Sequence, residues 1–225
     1  MNQQKIWSYF QTETPQIFRG SGFRLYYLAK YLRPGQRVLN VGIGGGIFER
    51  HARAHGADVF TLDPDWASLS NHSAEKVAYL VAGRLETIPF ETGSFDVVIV
   101  SEVLEHLTTE TMRQALEEIK RILVPGGQII GTVPCEENLE DATVVCPRCG
   151  EVFHKVGHLQ SFDIVRMRGE LGAYFDDVEC FERAFMAKAY VGWKEKIVDA
   201  VRNFLVLSGV LTRDKQLVFR GRKTA

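Results

Sequence analysis

Short apolar runs rich in β-branched residues alternate with longer segments of helical period between residues 37 and 219, a pattern that predicts an α/β sheet with helices on its faces. The runs expected as strands cover residues 37–41, 58–62, 77–82, 95–100, 128–133, 177–182 and 216–220. Between the fourth and fifth, Met112, Ala115, Leu116, Ile119, Ile122 and Leu123 recur at three and four residues, so they line one face of a helix that Pro125-Gly126-Gly127 then ends. Over residues 190–207, Trp193, Ile197, Val201, Phe204 and Leu205 also share a helical face. That face is expected to cover the domain edge, with Lys194, Lys196 and Arg202 in water; a membrane-surface helix is the competing reading. The regularity lapses between residues 134 and 160, which hold three of the four cysteines and two of the six histidines, and this stretch reads as an insertion.

Composition narrows the class. A chain of 225 residues with 45% hydrophobic and 24% charged residues has the make-up of one principal globular domain. With 27 Lys and Arg against 28 Asp and Glu the formal charge is -1, so no overall field draws it to nucleic acid or anionic lipid. The first ten residues carry Gln, Lys, Trp and Tyr where a secretory leader needs apolar side chains. No later run approaches the ~18 apolar residues of a spanning helix, so no membrane span and a cytosolic address are expected.

The segment Val38-Leu39-Asn40-Val41-Gly42-Ile43-Gly44-Gly45-Gly46 runs from a predicted strand into a helix expected near Ile47, where a βα unit exposes free backbone N–H groups. A dinucleotide fingerprint needs a third glycine at position 47, which is Ile47, so the string is G-x-G-x-G and a nicotinamide-dependent dehydrogenase is disfavoured. Asp63 follows Gly42 by 21 residues at the end of the next strand, a separation at which an acidic side chain can accept from both ribose hydroxyls of an adenosine.

These strings, with Gly83-Arg84-Leu85-Glu86-Thr87-Ile88-Pro89-Phe90, Ser94-Phe95-Asp96-Val97-Val98, Ser101-Glu102-Val103-Leu104-Glu105-His106-Leu107 and Leu123-Val124-Pro125-Gly126-Gly127, keep the order and spacing of a known family. The chain resembles a class I S-adenosylmethionine-dependent methyltransferase of the broad small-molecule subgroup, over residues 35–134. The resemblance implies a Rossmann-like, doubly wound, seven-stranded, mostly parallel sheet with the last strand antiparallel and helices on both faces. Residues 1–34 would form a cap, with Phe18, Phe23, Tyr26 and Tyr27 available to close the pocket, and residues 35–225 the methyltransferase domain. It further implies that Gly42 and Gly44 face the methionine part of S-adenosylmethionine, Asp63 the ribose, and Pro64 and Leu85 the adenine, with Ser101 and His106 near the methyl donor. Two positions depart from the family: Asn40 stands where Asp is usual, and Arg84 where an Asp accepts from the adenine amino group. Asn40 can still accept through its amide oxygen, but Arg84 has donors only, which points to backbone groups or Glu86 for adenine recognition.

Methyl transfer from a sulfonium needs alignment and exclusion of water more than acid–base help. A general base is required only for a protonated nucleophile, and His106 is the candidate by position, with pocket shaping as its alternative role. In the insertion, Cys146-Pro147-Arg148-Cys149-Gly150 can present two thiolates to one ion. His154 and His158 follow at a spacing that could complete a tetrahedral zinc set, although the run is shorter than the usual zinc-finger module. A structural zinc, a pair of reduced thiols and a redox disulfide all remain open there. The expected function is methyl transfer to an oxygen, nitrogen or carbon of a small-molecule substrate; the alternative is an adenosyl-binding regulatory or interaction module that has lost turnover.

Overall fold

In the computed structural model, which describes residues 3–72, 79–187, 192–210 and 215–224, seven strands make one sheet in the order β3-β2-β1-β4-β5-β9-β8. These are β1 (Arg37–Val41), β2 (Asp58–Asp63), β3 (Tyr79–Ala82), β4 (Phe95–Ser101), β5 (Leu123–Pro134), β8 (Asp176–Ala184) and β9 (Lys215–Arg222). Neighbours from β3 through β5 pair in parallel, and β9 runs antiparallel between β5 and β8. The expected sheet, with only its last strand reversed, is therefore present. Residues 77–78 of the third predicted strand lie outside the described residues.

Parallel strands flanked by helices bury both faces, so alternate residues of one strand enter different cores. In β4, Val98 and Val100 join the core under α5 (Thr109–Ile122), while Val97 and Ile99 join the one under α2 (Gly22–Ala29) and α3 (Ile47–Ala54). Helix α5 supplies Met112, Ala115, Leu116, Ile119 and Ile122, all fully buried, each large apolar side chain contributing about 1.5–3 kcal/mol. Thr108 caps it, its side chain accepting from the Thr111 N–H at 3.2 Å. The order of strands reverses at β1, with β2 on one side and β4 on the other; this switch point leaves a crevice at the C-terminal strand ends, where open α/β sheets bind ligands.

Before the sheet come α1 (Gln3–Thr12), a 3-10 turn over Pro15–Ser21, and α2. Short helix α4 (Trp66–Ser70) follows β2 and meets α1, and α6 (Ile164–Gly172) packs on β8. Among the described residues no helix is long and apolar enough to cross a membrane.

Helix α7 (Trp193–Leu207) corrects one expectation. Its apolar stripe faces outward: Trp193 is 69%, Ile197 56%, Val201 54% and Phe204 69% exposed. Its polar side turns inward because edge strand β8 offers polar partners. The Arg183 guanidinium reaches the buried Asp199 carboxylate at 2.5 Å, and the Ala184 N–H donates to Asn203 Oδ1 at 3.2 Å.

Candidate active site

Between β1 and α3, Gly42 and Gly44 adopt φ of 85° and 48°, a left-handed backbone that only glycine takes without strain. The Gly42 N–H donates to the Leu62 carbonyl at 2.8 Å and the Ile43 N–H to Asp63 Oδ2 at 3.0 Å, so the loop is tied to the end of β2. A Cβ at Gly44 would sit 3.5 Å from the Phe18 ring, which therefore lies on the loop. The other candidate aromatics pack elsewhere: Phe23 is buried with Phe185 and Val218, Tyr27 meets Tyr31 and Phe185, and Tyr26 meets His51. Asn40 is buried beneath the loop, its amide donating to the Gly42 carbonyl at 2.9 Å and to Glu49 Oε1 at 2.6 Å. Its amide N–H groups thus go to the loop and to a buried glutamate.

Asp63 is 2% exposed. Its Oδ1 accepts from the Asp65 N–H at 2.9 Å, while Oδ2 takes both Ile43 and the Gln11 side-chain amide, the latter at 3.1 Å. Burial raises its pKa and these hydrogen bonds oppose the rise. Gln11 is in turn held by the Ser68 hydroxyl at 2.6 Å. On the neighbouring strand ends Pro64 is exposed, Leu85 is buried, and half-buried Glu86 pairs with Arg84 at 3.0 Å. Arg84 thus engages the very carboxylate expected to replace the missing acceptor.

Beyond β4, Ser101 Oγ accepts from Arg24 Nε at 3.1 Å and shares a hydrogen bond with Thr132 at 2.9 Å. Arg24 also approaches Glu102 at 3.7 Å, and Glu102 has φ of 56°. His106 ends a 3-10 turn over Leu104–His106 and is mostly buried; desolvation first, then the neighbouring His158, lower its pKa from 6.5 to about 4. Its Nδ1 is 3.2 Å from both the Trp7 indole N–H and the Gly157 carbonyl oxygen. Trp7 and Gln11 are four residues apart and so share a face of α1, which spans the crevice from His106 to Asp63.

A family profile described as "Methyltransferase domain" matches residues 39–131, which hold the glycine loop, Asp63 and His106. That segment is similar to methyltransferase domains. Ubiquinone biosynthesis O-methyltransferase of Xanthomonas axonopodis pv. citri is 34% identical over 113 residues, 47% of this chain and 46% of that protein. Malonyl-[acyl-carrier protein] O-methyltransferase of Erwinia billingiae is 32% identical over 117 residues, 51% and 46% of the two chains. The chain thus spans about half the length of these curated relatives. Among solved structures, the complex of the Haloferax volcanii Trm112 methyltransferase activator with a methyltransferase aligns at TM-score 0.71 and 18% identity over 98% of both chains. A Burkholderia thailandensis 1,6-didemethyltoxoflavin-N1-methyltransferase with bound S-adenosylhomocysteine aligns at 0.65 and 18% identity over 99% and 86%.

Between β5 and α6 the chain has a 3-10 turn over Leu139–Ala142 and a hairpin of β6 (Thr143–Val145) with β7 (Val152–His154). The hairpin separates the expected zinc ligands. Thr143 pairs with His154 at its base, whereas Cys146 and Cys149 sit past the Val145–Val152 rung at the tip. Backbone N–H groups of Cys149 and Arg148 hold the Cys146 thiol below its ordinary 9.0. Among the described residues, the groups whose ligand atoms come within 4.8 Å of one another are Glu105 with His106 and His158, Glu137 with His154 and His158, and Cys135 with Glu136 and Glu182. The two histidines thus keep company with carboxylates, and Cys146 and Cys149 do not join them. Trp7, Gln11, Arg24, Glu105 and Glu137 were not singled out by the sequence; only Glu105 lay inside a motif.

Proposed function

We propose that this chain binds S-adenosylmethionine over the C-terminal ends of β1, β2 and β4 and methylates an oxygen, nitrogen or carbon of a small molecule. The observation that carries the reading is Asp63, a buried carboxylate tied to a left-handed glycine loop, with one oxygen occupied by the Gln11 amide. A ribose hydroxyl can replace that donor. Gly42 and Gly44 take the methionine part, Pro64 and Leu85 flank the adenine, and Glu86, shared with Arg84, lies at its edge. Ser101 and His106 face the methyl group, and Asn40 acts by holding the loop.

S-adenosylmethionine supplies an activated methyl group whose sulfur leaves as a neutral thioether. The chain's own side chains then need to orient the acceptor and exclude water. Arg24 fixes Ser101 and approaches Glu102, and Trp7 closes over His106. With a pKa near 4, His106 is neutral at pH 7 and serves as a hydrogen-bonding wall rather than a store for a proton. The small-molecule acceptor is supported by the relative named for ubiquinone biosynthesis.

Calorimetry with S-adenosylmethionine and S-adenosylhomocysteine, against NADH and Asp63→Ala as controls, tests this. Saturable binding lost in the variant is expected; no binding up to about a millimolar, weaker than roughly -4 kcal/mol, overturns it. An adenosyl-binding module without turnover is the second reading, favoured by the closure of α1 onto both Asp63 and His106. It predicts binding with no methylated product from any acceptor.

A further inference from the structure

We propose that Glu105, His106 and His158 bind a divalent transition-metal ion, with Glu137 and the Gly157 carbonyl orienting the two imidazoles. One ligand atom from each of the three residues lies within 4.8 Å of the others. Glu105 is fully buried, and neither carboxylate oxygen has a hydrogen-bond partner. A carboxylate taken out of water without donors is costly, and a cation is the group that compensates it. His158 Nε2 stands 4.0 Å from Glu105 Oε1. The backbone holds the site together: the Leu159 and Gln160 N–H groups donate to the Glu105 carbonyl at 2.8 and 3.2 Å.

Tautomers decide which histidines can be ligands. His158 Nδ1 lies 2.5 Å from Glu137 Oε2, so its proton belongs there and the Nε2 lone pair is free. His106 Nδ1 can donate to the Gly157 carbonyl, which frees its Nε2 likewise; the Trp7 indole N–H contends for the same nitrogen. A ligating imidazole held at its other nitrogen by a carboxylate or carbonyl is the usual outer-shell arrangement. His154 is different. Its Nδ1 accepts the His158 N–H at 3.0 Å, which places its proton on Nε2, facing Glu137 Oε1 at 3.6 Å. A protonated Nε2 is not a ligand atom and Nδ1 is already taken, so the neighbouring group of Glu137, His154 and His158 is not the ion site. Two imidazoles and one carboxylate suit zinc, iron(II), cobalt or manganese better than calcium or magnesium, and three protein ligands leave a position open. If the methyl-transfer reading holds, that open position, at the turn that follows β4, can bind an oxygen or nitrogen of the acceptor.

The test uses the whole chain, chelator-treated and then dialysed against zinc or cobalt(II), with metal content and the cobalt spectrum as readouts. About one equivalent is expected, in the wild type and in the Cys146→Ser/Cys149→Ser double variant, with cobalt bands free of thiolate charge transfer. Glu105→Gln and His158→Ala should lose the ion, and Glu137→Gln should weaken binding by about 10–100-fold. Retention below about a tenth of an equivalent, a thiolate charge-transfer band, or loss in the cysteine variant alone overturns the proposal. The cobalt spectrum decides even if a variant fails to fold. Because none of these readouts needs S-adenosylmethionine, failure here is distinct from failure of the methyl-transfer reading.

Discussion

Replacing Gln11 by Ala should weaken the ligand-free protein and tighten its hold on the adenosyl ligand. Gln11 donates to Asp63 Oδ2 at 3.1 Å, and its carbonyl accepts from Ser68, which has a second acceptor in Asp65 Oδ2 at 3.1 Å. The Ser68 half of the loss is therefore nearly neutral. A hydrogen bond to an ionised group contributes about 1.5–3 kcal/mol, and the lower end applies because Gln11 is half-exposed and Asp63 keeps two backbone donors. A loss of about 1.5 kcal/mol should lower Tm by about 3–6 °C in a chain of this size. Since a ribose hydroxyl must displace the same amide, the loss reappears as affinity, about tenfold in Kd. Differential scanning fluorimetry gives the first quantity and calorimetry with S-adenosylhomocysteine the second. A lower Tm with unchanged or weaker binding would refute the reasoning, because Gln11 would then be a ligand contact rather than a competitor.

Three further outcomes follow from buried and edge groups. Burial raises the pKa of Glu49, whose Oε2 has no partner; the stability it contributes is present at low pH and lost as pH rises through the raised value. Glu49→Gln should therefore gain in Tm relative to wild type at pH 8 compared with pH 5, and an equal difference at both would contradict this. His106 is shifted the opposite way, from 6.5 to about 4, so its contribution is present above pH 6.5 and falls by about 3 kcal/mol as pH drops through 4. In urea titrations His106→Asn should flatten that slope. On α7, Phe204→Ser should change stability by less than about 0.5 kcal/mol, while Asp199→Ala, which strands Arg183, should cost about 1–3 kcal/mol; comparable losses from both would mean the helix packs by its apolar face.

What the sequence made legible is what local periodicity encodes. Strands β1, β2, β4 and β5 and the buried face of α5 show themselves because each residue's side is set by its neighbours two, three or four places away. The glycine loop and Asp63 were readable for the same reason, as a turn and a strand end. Helix α7 has an equally clear stripe, yet the stripe says nothing about what β8 presents, and Arg183 and the Ala184 N–H favoured the polar side. Asn40 also ties the loop to Glu49, a partner on the next helix that no local pattern shows. Gln11 and Glu137 carry no local signal; their partners lie 52 and 21 residues away. The cysteine and histidine spacing suggested one tetrahedron, and the hairpin register moved its halves apart.

Glu102 has a left-handed backbone without being glycine, and Glu136 shares it with φ of 51° at the end of the adjoining strand β5. Such a conformation costs about 1–3 kcal/mol in a side-chain-bearing residue. Glycine would relieve that cost at both positions. Two carboxylates retained at the tips of neighbouring strands, where the chain would fold more easily without them, set a minimum on what those side chains return in the working protein.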